Sequence, residues 1–428
     1  MSNGHPITSL NTDIESEDKT AQTNQSSSHK NMISIPKRLH FIDGIRGILA
    51  LDVLLFHFLG WNQPEDLNRI ARSISKLFQL GHVAVNVFIV ISGYSLMLPV
   101  IKSKDKSIRD GFSGYIYRRI RRIFPVYYSA LLVSIVVLAV IRRINQDGSS
   151  IEIDKDLSWD SVLSHLLLIH TWIKGLSGTI NPALWSVATE WHIYFLFPTI
   201  LIPVWARFGG IGLLIASIAI GLSPLFLMPS SSEIIKNCPW YVVLFAIGMI
   251  AAVETEKPFY NSLRYDIFIA LIGAAGVFVF LYLKSRDRSA NVTETLPEIQ
   301  LLKDCACGIT SACLLIYCYR SSKRKEFGGK SIILAALESA CVVWLGSISY
   351  SLYAIHFAVL KVFEKLAHTM RLSSSHTFYF KAIVGIPLAI AIAYYFSLIF
   401  EIPFLKSSSK AKQVKPVSTY NQSPHQFI

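Results

Sequence analysis

Ionisable residues inside an apolar run are the first feature of this chain that could do chemistry. From Phe41 to His57 the sequence reads FIDGIRGILALDVLLFH, apolar enough to enter a bilayer yet carrying Asp43, Arg46, Asp52 and His57. On an α-helix turning about 100° per residue, Arg46 and His57 are about three turns apart and share a face. Asp43 lies one turn before Arg46 on nearly the same face, and Asp52 points elsewhere. At about 1.5 Å rise per residue, Arg46 and His57 are separated by roughly 16 Å along the axis. A charge near the bilayer centre costs at least about 2.5 kcal/mol, so such groups normally face a protein interior and mark function. Each has a plainer explanation, an interfacial Asp43–Arg46 pair or a packing histidine, but the shared face favours function.

Four further stretches carry polar groups in apolar surroundings. Gly81-His82-Val83 leads into FIVISGY, where Ser92 and Gly93 are small enough to let helices approach closely. Tyr115 to Pro125 holds Arg118, Arg119, Arg121 and Arg122. A basic cytoplasmic boundary explains these charges, and so does a clamp for phosphates, which guanidinium forks pair well. Trp185-Ser186 precedes Glu190 in a span that begins near residue 183, and a carboxylate at that depth must be paired, protonated or in a wet cavity. Ser349-Tyr350, Tyr353 and His356 form the last group, followed at the end of the final span by Glu401-Ile-Pro403.

Together these stretches resemble the acyltransferase 3 family of integral membrane acyltransferases. IDGIRG with ten residues between Arg46 and His57 is similar to that family's first-helix motif. Ser92-Gly93, Arg119-x-x-Arg122-Ile-x-Pro125, Trp185-Ser186-x-x-x-Glu190, Ser349-Tyr350-x-x-Tyr353-x-x-His356 and Glu401-x-Pro403 follow in the family's order. Ile91 and Tyr94 depart from the Leu and Phe usual there. No further extracytoplasmic domain of the kind found in bacterial glycan-modifying members follows the last motif, which argues against a polysaccharide acceptor.

The elements that must position these residues read as membrane helices. The chain has 428 residues, 52% hydrophobic and only 16% charged, with a mean hydropathy of +0.43. That is too little charge for a soluble protein of this length. Ten apolar segments are long enough, or nearly so, for a core about 30 Å thick, near 41–60, 80–101, 124–141, 183–204, 211–228, 240–254, 265–283, 302–319, 332–357 and 382–400. The apolar stretch 160–173 is short and reads as re-entrant or interfacial. The expected fold is an all-α integral membrane bundle of about ten transmembrane helices. With the N-terminus inside, the inner segments carry 24 Lys and Arg and the outer segments 14, which places both termini in the cytoplasm. The net charge of +13 therefore points to basic cytoplasmic loops and not to nucleic acid. Three parts are expected: a disordered polar tail over 1–36, which lacks the apolar core of a signal peptide, an acyltransferase 3-like domain over 37–404, and a polar tail over 405–428. The six cysteines show no metal-finger spacing and read as packing residues, with no metal expected. Asn291-Val-Thr293 offers a glycosylation sequon on the outer side. These features fit a multi-pass protein of the endoplasmic reticulum or plasma membrane.

The resemblance implies an O-acyltransferase that moves an acyl group, acetyl being the expected one, from acyl-CoA to a hydroxyl-bearing acceptor. Acyl-CoA is then a co-substrate, with no bound cofactor. His57 is the expected general base, with direct transfer or an acyl-His57 intermediate both open. Arg46 holds the donor's polar arm or stabilises oxyanion charge, with Asp43 fixing its guanidinium. Glu190 orients a histidine or the acceptor hydroxyl, and it and His356 join His57 in the outer half. Arg119 and Arg122 hold the phosphates of coenzyme A, while Ser92, Trp185, Ser186, Ser349, Tyr350 and Tyr353 support the site. A proton-coupled carrier using intramembrane His, Glu and Arg is the alternative, though no inverted repeat is evident. An inactive receptor-like relative is disfavoured by the presence of both Arg46 and His57.

Overall fold

The computed structural model describes residues 39–405 apart from 62, 145–150, 230–231, 258–262, 290–295, 326–328 and 330. Both expected tails, save Leu405, and the sequon at Asn291 lie outside the described residues. The chain divides into Met1–Leu39 and His40–Ile428, and the second unit carries everything that follows. Among the described residues every regular element is helical.

Long apolar helices dominate. Helix α1 spans His40–Leu55 and runs into a π-helical turn, Phe56–Gly60. After α2 (Arg69–Leu77) come α3 (Gly81–Lys102) and α4 (Gly111–Ile144). Short helices α5 (Ile151–Asp156) and α6 (Trp159–Leu166) precede α7 (Leu184–Leu196). A second π-turn, Phe197–Leu201, joins α7 to α8 (Ile202–Leu227). Then follow α9 (Glu233–Lys236), α10 (Tyr241–Glu256), α11 (Leu263–Ser289), α12 (Pro297–Lys325), α13 (Ile332–Leu337), α14 (Ala340–Ser347), α15 (Ser349–Thr369) and α16 (Ser374–Phe380). A third π-turn, Lys381–Gly385, leads into α17 (Ile386–Phe400).

Among the described residues, seven stretches are long and apolar enough to cross a membrane, or eight if α14 and α15, bent by 67°, count as one span. This differs from the ten segments expected. Leu184–Leu227 runs as one helical stretch through two of the expected segments, interrupted only where Gly209 leaves the helical region at φ 68°. The first segment forms a 16-residue helix completed by a π-turn, so it falls short of a full span in regular α geometry. Conversely, α4 begins well before the apolar stretch expected at 124–141. Its 34 residues would extend about 51 Å, so its arginine-bearing first half reaches beyond a core about 30 Å thick.

Apolar character alone does not say which helix is central. Helices α10 and α11 are both apolar on all sides, yet most of α10 is buried while α11 exposes Leu271, Phe278 and Leu281. Helix α10 packs against α3, α8 and α12, whereas α11 packs chiefly on α12. Helix α3 packs most extensively against α10. A Cβ on Gly93 would strike the Phe245 carbonyl oxygen, and one on Gly248 the Val90 carbonyl oxygen, so the two backbones meet only because both residues are glycine. The motif around Arg46 uses the same device: a Cβ on Gly346 of α14 would run into the Asp43 carbonyl oxygen.

Candidate functional site

The residues singled out by their chemistry gather at two ends of one polar core. At the first end lies the π-turn after α1, in which Trp61 N–H donates to Phe56 O five residues back at 2.7 Å. Such wide turns recur at functional sites. The direction of the His57 ring is therefore set by this turn and not by the 3.6-residue register. His57 Nδ1 lies 3.0 Å from Val53 O and 3.1 Å from Nε2 of His356. The rings of Phe56, Trp61 and Phe357 pack around it with centroids 4.9–5.6 Å away.

Hydrogen-bond logic assigns the protons of this pair. His356 Nδ1 lies 2.7 Å from Tyr353 O and 3.2 Å from Leu352 O; carbonyls only accept, so this nitrogen carries the hydrogen. Its Nε2 is then an acceptor in the neutral ring. His57 Nδ1, between that acceptor and Val53 O, must be the donor, which leaves His57 Nε2 with a free lone pair.

The second end is built on arginines. The four on α4 divide by their partners. Arg118 pairs with Asp110 at 2.7 Å, and Arg121 donates to Phe404 O at 3.3 Å. Arg119 and Arg122 turn to the other side. The Arg119 guanidinium lies 5.9 Å from the Tyr115 ring centre and 5.8 Å from that of Tyr194, and its Nε is buried with no protein acceptor. Arg46 is within electrostatic reach of Arg122, Tyr194 and Glu190, and Arg122 also acts on Glu401.

Glu190 belongs to this arginine end. Its Oε1 accepts from Ser92 Oγ and from Tyr194 OH. It bonds neither histidine; main-chain carbonyls on α1 and α15 orient those rings. Asp43 also acts electrostatically on Arg46, and α14 packs across the Asp43 backbone. Glu401 accepts from Ser351 N–H at 3.2 Å and Ser351 Oγ at 2.6 Å.

Helix α15 connects the ends. Tyr350, Tyr353 and His356 recur at three-residue steps along one face. Tyr350 OH donates to Ile123 O at 3.1 Å, and Tyr353 OH bonds Ser186 Oγ at 2.6 Å. Ser349 Oγ returns to Gly346 O at 2.8 Å, a local bond at the bend between α14 and α15. Trp185 lies 6.3 Å from the His82 ring, stacked at 9°.

Sequence reasoning missed one polar cluster. Asp304, fully buried, accepts from Asn86 Nδ2 and Gln300 Nε2 at 2.7 Å and from Trp240 Nε1 at 2.8 Å, with His82 Nε2 at 3.2 Å. An acid inside the apolar run LLKDCACGIT was the available signal. His82, Cys238 and Asp304 bring one potential metal-ligand atom each within 4.8 Å of one another. The donors from Asn86, Gln300 and Trp240 already engage the carboxylate, which accounts for its burial without an ion.

A profile of the acyltransferase domain matches residues 39–402. The chain belongs to the acyltransferase 3 family. Among relatives in that family, the acyltransferase MdmB of Streptomyces mycarofaciens is 25% identical over 346 residues, 77% of this chain and 81% of the relative. The putative peptidoglycan O-acetyltransferase YrhL of Bacillus subtilis is 23% identical over 355 residues, 74% of this chain but 48% of the relative. No solved structure matches the chain. Membership agrees with the helical, multi-pass membrane architecture.

Proposed function

We propose that this protein is a membrane O-acyltransferase that moves an acyl group, acetyl in the first instance, from acyl-CoA to a hydroxyl of a carbohydrate, lipid or small metabolite. The observation that carries this reading is the ordered histidine pair. His356 is held by main-chain carbonyls and in turn holds His57, so that His57 Nε2 keeps an unprotonated lone pair. That is the state a general base needs. In the reaction, His57 Nε2 takes the acceptor hydroxyl's proton as the oxygen attacks the thioester carbonyl. The carbon–sulfur bond then breaks, and the departing thiolate of coenzyme A takes the proton from His57.

Arg46, Arg119 and Arg122 bind the donor. Their three guanidinium forks suit the diphosphate and 3′-phosphate of coenzyme A. With Arg46 roughly 16 Å from His57 on α-helical spacing, its part is to hold the donor's polar arm, while the pantetheine chain reaches along the face of Tyr350 and Tyr353. Both termini and the arginine end face the cytoplasm in this reading. The O-acetyltransferase name of YrhL supports a hydroxyl acceptor.

Purified protein given labelled acetyl-CoA tests the proposal. Consumption of the thioester with label passed to a hydroxyl compound is the expected result. Binding or translocation of ligands with the thioester left intact would instead make the protein a carrier.

A further inference from the structure

The hairpin that runs from α5 to the start of α7 holds a cavity that the reaction above does not use. Helices α5 and α6 and the loop after them enclose about 470 Å³. Contacts with α4 fix its direction. Asp154, next to Lys155 in the cavity wall, pairs with Arg142 at 2.7 Å near the end of α4. The turn after α6 meets the same helix far deeper. Tyr127 OH donates to His165 O at 2.9 Å, and Tyr128 OH to Leu166 O at 2.8 Å. At about 1.5 Å per residue, Tyr128 and Arg142 are about 21 Å apart along the axis. The hairpin therefore descends from the boundary marked by Arg142 and Arg143 into the apolar stretch of α4.

The wall is sorted along this direction. Lys155 and Asp160 line the cavity at the Arg142 end, and Leu163, Leu167 and Ile169 line it towards the tyrosines. The chain returns to the first end at Lys174 and Gly175. A Cβ on Gly175 would lie 3.3 Å from Lys155 Nζ, so both lysines belong to that end. Among the described residues neither lysine is paired with an acid, and Asp160 is not paired with a base. Trp159, 87% exposed, stands beside the polar end, as aromatics do at a membrane boundary.

We propose that this cavity seats one phospholipid with a primary-amine head. Its phosphate lies between Lys155 and Lys174, its ammonium meets Asp160, and its chains run past Leu163 and Leu167 towards the middle of α4. Charge complementarity selects the head. Two ammoniums call for the phosphate, and the carboxylate beside them opposes a head that is only anionic. A quaternary ammonium has no N–H to give Asp160, so ethanolamine fits and choline does not. The polar-to-apolar order of the wall is that of an amphiphile; a soluble phosphate ester would leave the apolar end unfilled. The same hairpin reaches the candidate site. Asn181 Nδ2 donates to Ser134 Oγ at 3.0 Å and to Ala354 O at 2.9 Å, two residues before His356. A seated lipid thus holds the hairpin that braces α15. The inference stands apart from the acyltransferase reading.

The full-length protein, stripped of lipid in a non-ionic detergent, is titrated with phosphatidylethanolamine, phosphatidylcholine or phosphatidylglycerol of one chain composition. Native mass spectrometry counts the bound lipid. We expect a single phosphatidylethanolamine to bind about tenfold tighter than either of the others. Lys155→Ala combined with Lys174→Ala should weaken it about tenfold, in keeping with the attraction of each surface lysine for a lipid phosphate. Asp160→Asn should abolish the preference over phosphatidylglycerol. These three side chains are exposed, and Leu167→Asp gives a further test because it spares the head contacts and should still weaken the lipid. Phosphorylethanolamine, the head without chains, should fail to displace it even in large excess. Equal binding of the three lipids, parental affinity in the double-lysine variant, a preference retained in Asp160→Asn, parental affinity in Leu167→Asp or displacement by phosphorylethanolamine overturns the site.

Discussion

His57 is the residue on which the proposed chemistry turns, and its neighbours make its substitution informative. Its ring touches Phe56, Trp61 and Phe357 at one end of the core, while the arginines form the other. We therefore expect His57→Ala to bind acetyl-CoA with parental affinity and to lose transfer by about 10²–10⁴-fold, the usual cost of removing a general base. Glutamine can keep the hydrogen bond to His356 but cannot take a proton, so His57→Gln should be as slow. Titration calorimetry with acetyl-CoA and single-turnover transfer separate the two effects. Parental turnover in His57→Gln would make the residue structural. Loss of acetyl-CoA affinity in His57→Ala would instead move it into the donor site.

Among the elements, α4 shows how one helix serves lipid, water and ligand. Its second half is apolar, and its first half carries arginines on two faces. Arg118 and Arg121 are engaged by Asp110 and Phe404. Arg119→Ala or Arg122→Ala should each weaken acetyl-CoA binding by about 1.5–3 kcal/mol, the worth of a charge-assisted hydrogen bond, whereas Arg121→Ala should leave it within about threefold. Equal losses from all three would reduce the set to a basic boundary. Helix α6 and the loop after it, outside the spanning stretches, make a different prediction. The rings of His165 and His170 stack with centroids 3.8 Å apart and are fully buried. Burial pushes His165 down to about 4, and burial together with the neighbouring His165 pushes His170 down to about 2. Both are neutral when folded and gain a proton on unfolding below their ordinary pKa near 6.5. Their contribution to stability is complete above about pH 6.5 and is lost as pH falls, by about 1.4 kcal/mol per histidine per pH unit down to the folded value. Thermal melts from pH 7 to 5 should show this loss, and His170→Asn should blunt it. An unchanged pH slope in that variant would assign the acid sensitivity elsewhere.

For the whole molecule, the governing matter is which side of the membrane each polar end faces. Donor binding at the arginine end requires that end to meet cytoplasmic acyl-CoA, and the excess of Lys and Arg in the alternate loops favours the same orientation. Single cysteines at positions 10 and 415 should both react with an impermeant maleimide only after permeabilisation of intact cells. Labelling of either tail before permeabilisation would reverse the bundle and place the arginines on the wrong face for the proposed donor.

Much of the candidate site was legible in the sequence because bilayer depth restricts polar residues so strongly. An arginine, a glutamate or a histidine inside an apolar run is costly enough to stand out without coordinates, and Arg46, His57 and Glu190 were visible for that reason, while His356 came with the family motif. Arg119 and Arg122 were set apart from Arg118 and Arg121 by the family motif and not by helical spacing, since Arg118 and Arg122 lie only about 40° apart on the helix. Pairing was not legible, since the residues that meet are far apart in the chain. His57 meets His356 through a π-turn that no 3.6-residue register anticipates. Glu190 answers to Ser92 and Tyr194 and not to a histidine. Helix count was blurred by continuity across Gly209. Composition equally failed to tell α10 from α11, because apolar residues satisfy lipid and protein alike. Packing against three other helices, with α3 brought close by Gly93 and Gly248, buried α10. Polarity at depth thus announced the chemistry, while backbone proximity, which depends on small residues on separate helices, decided its geometry.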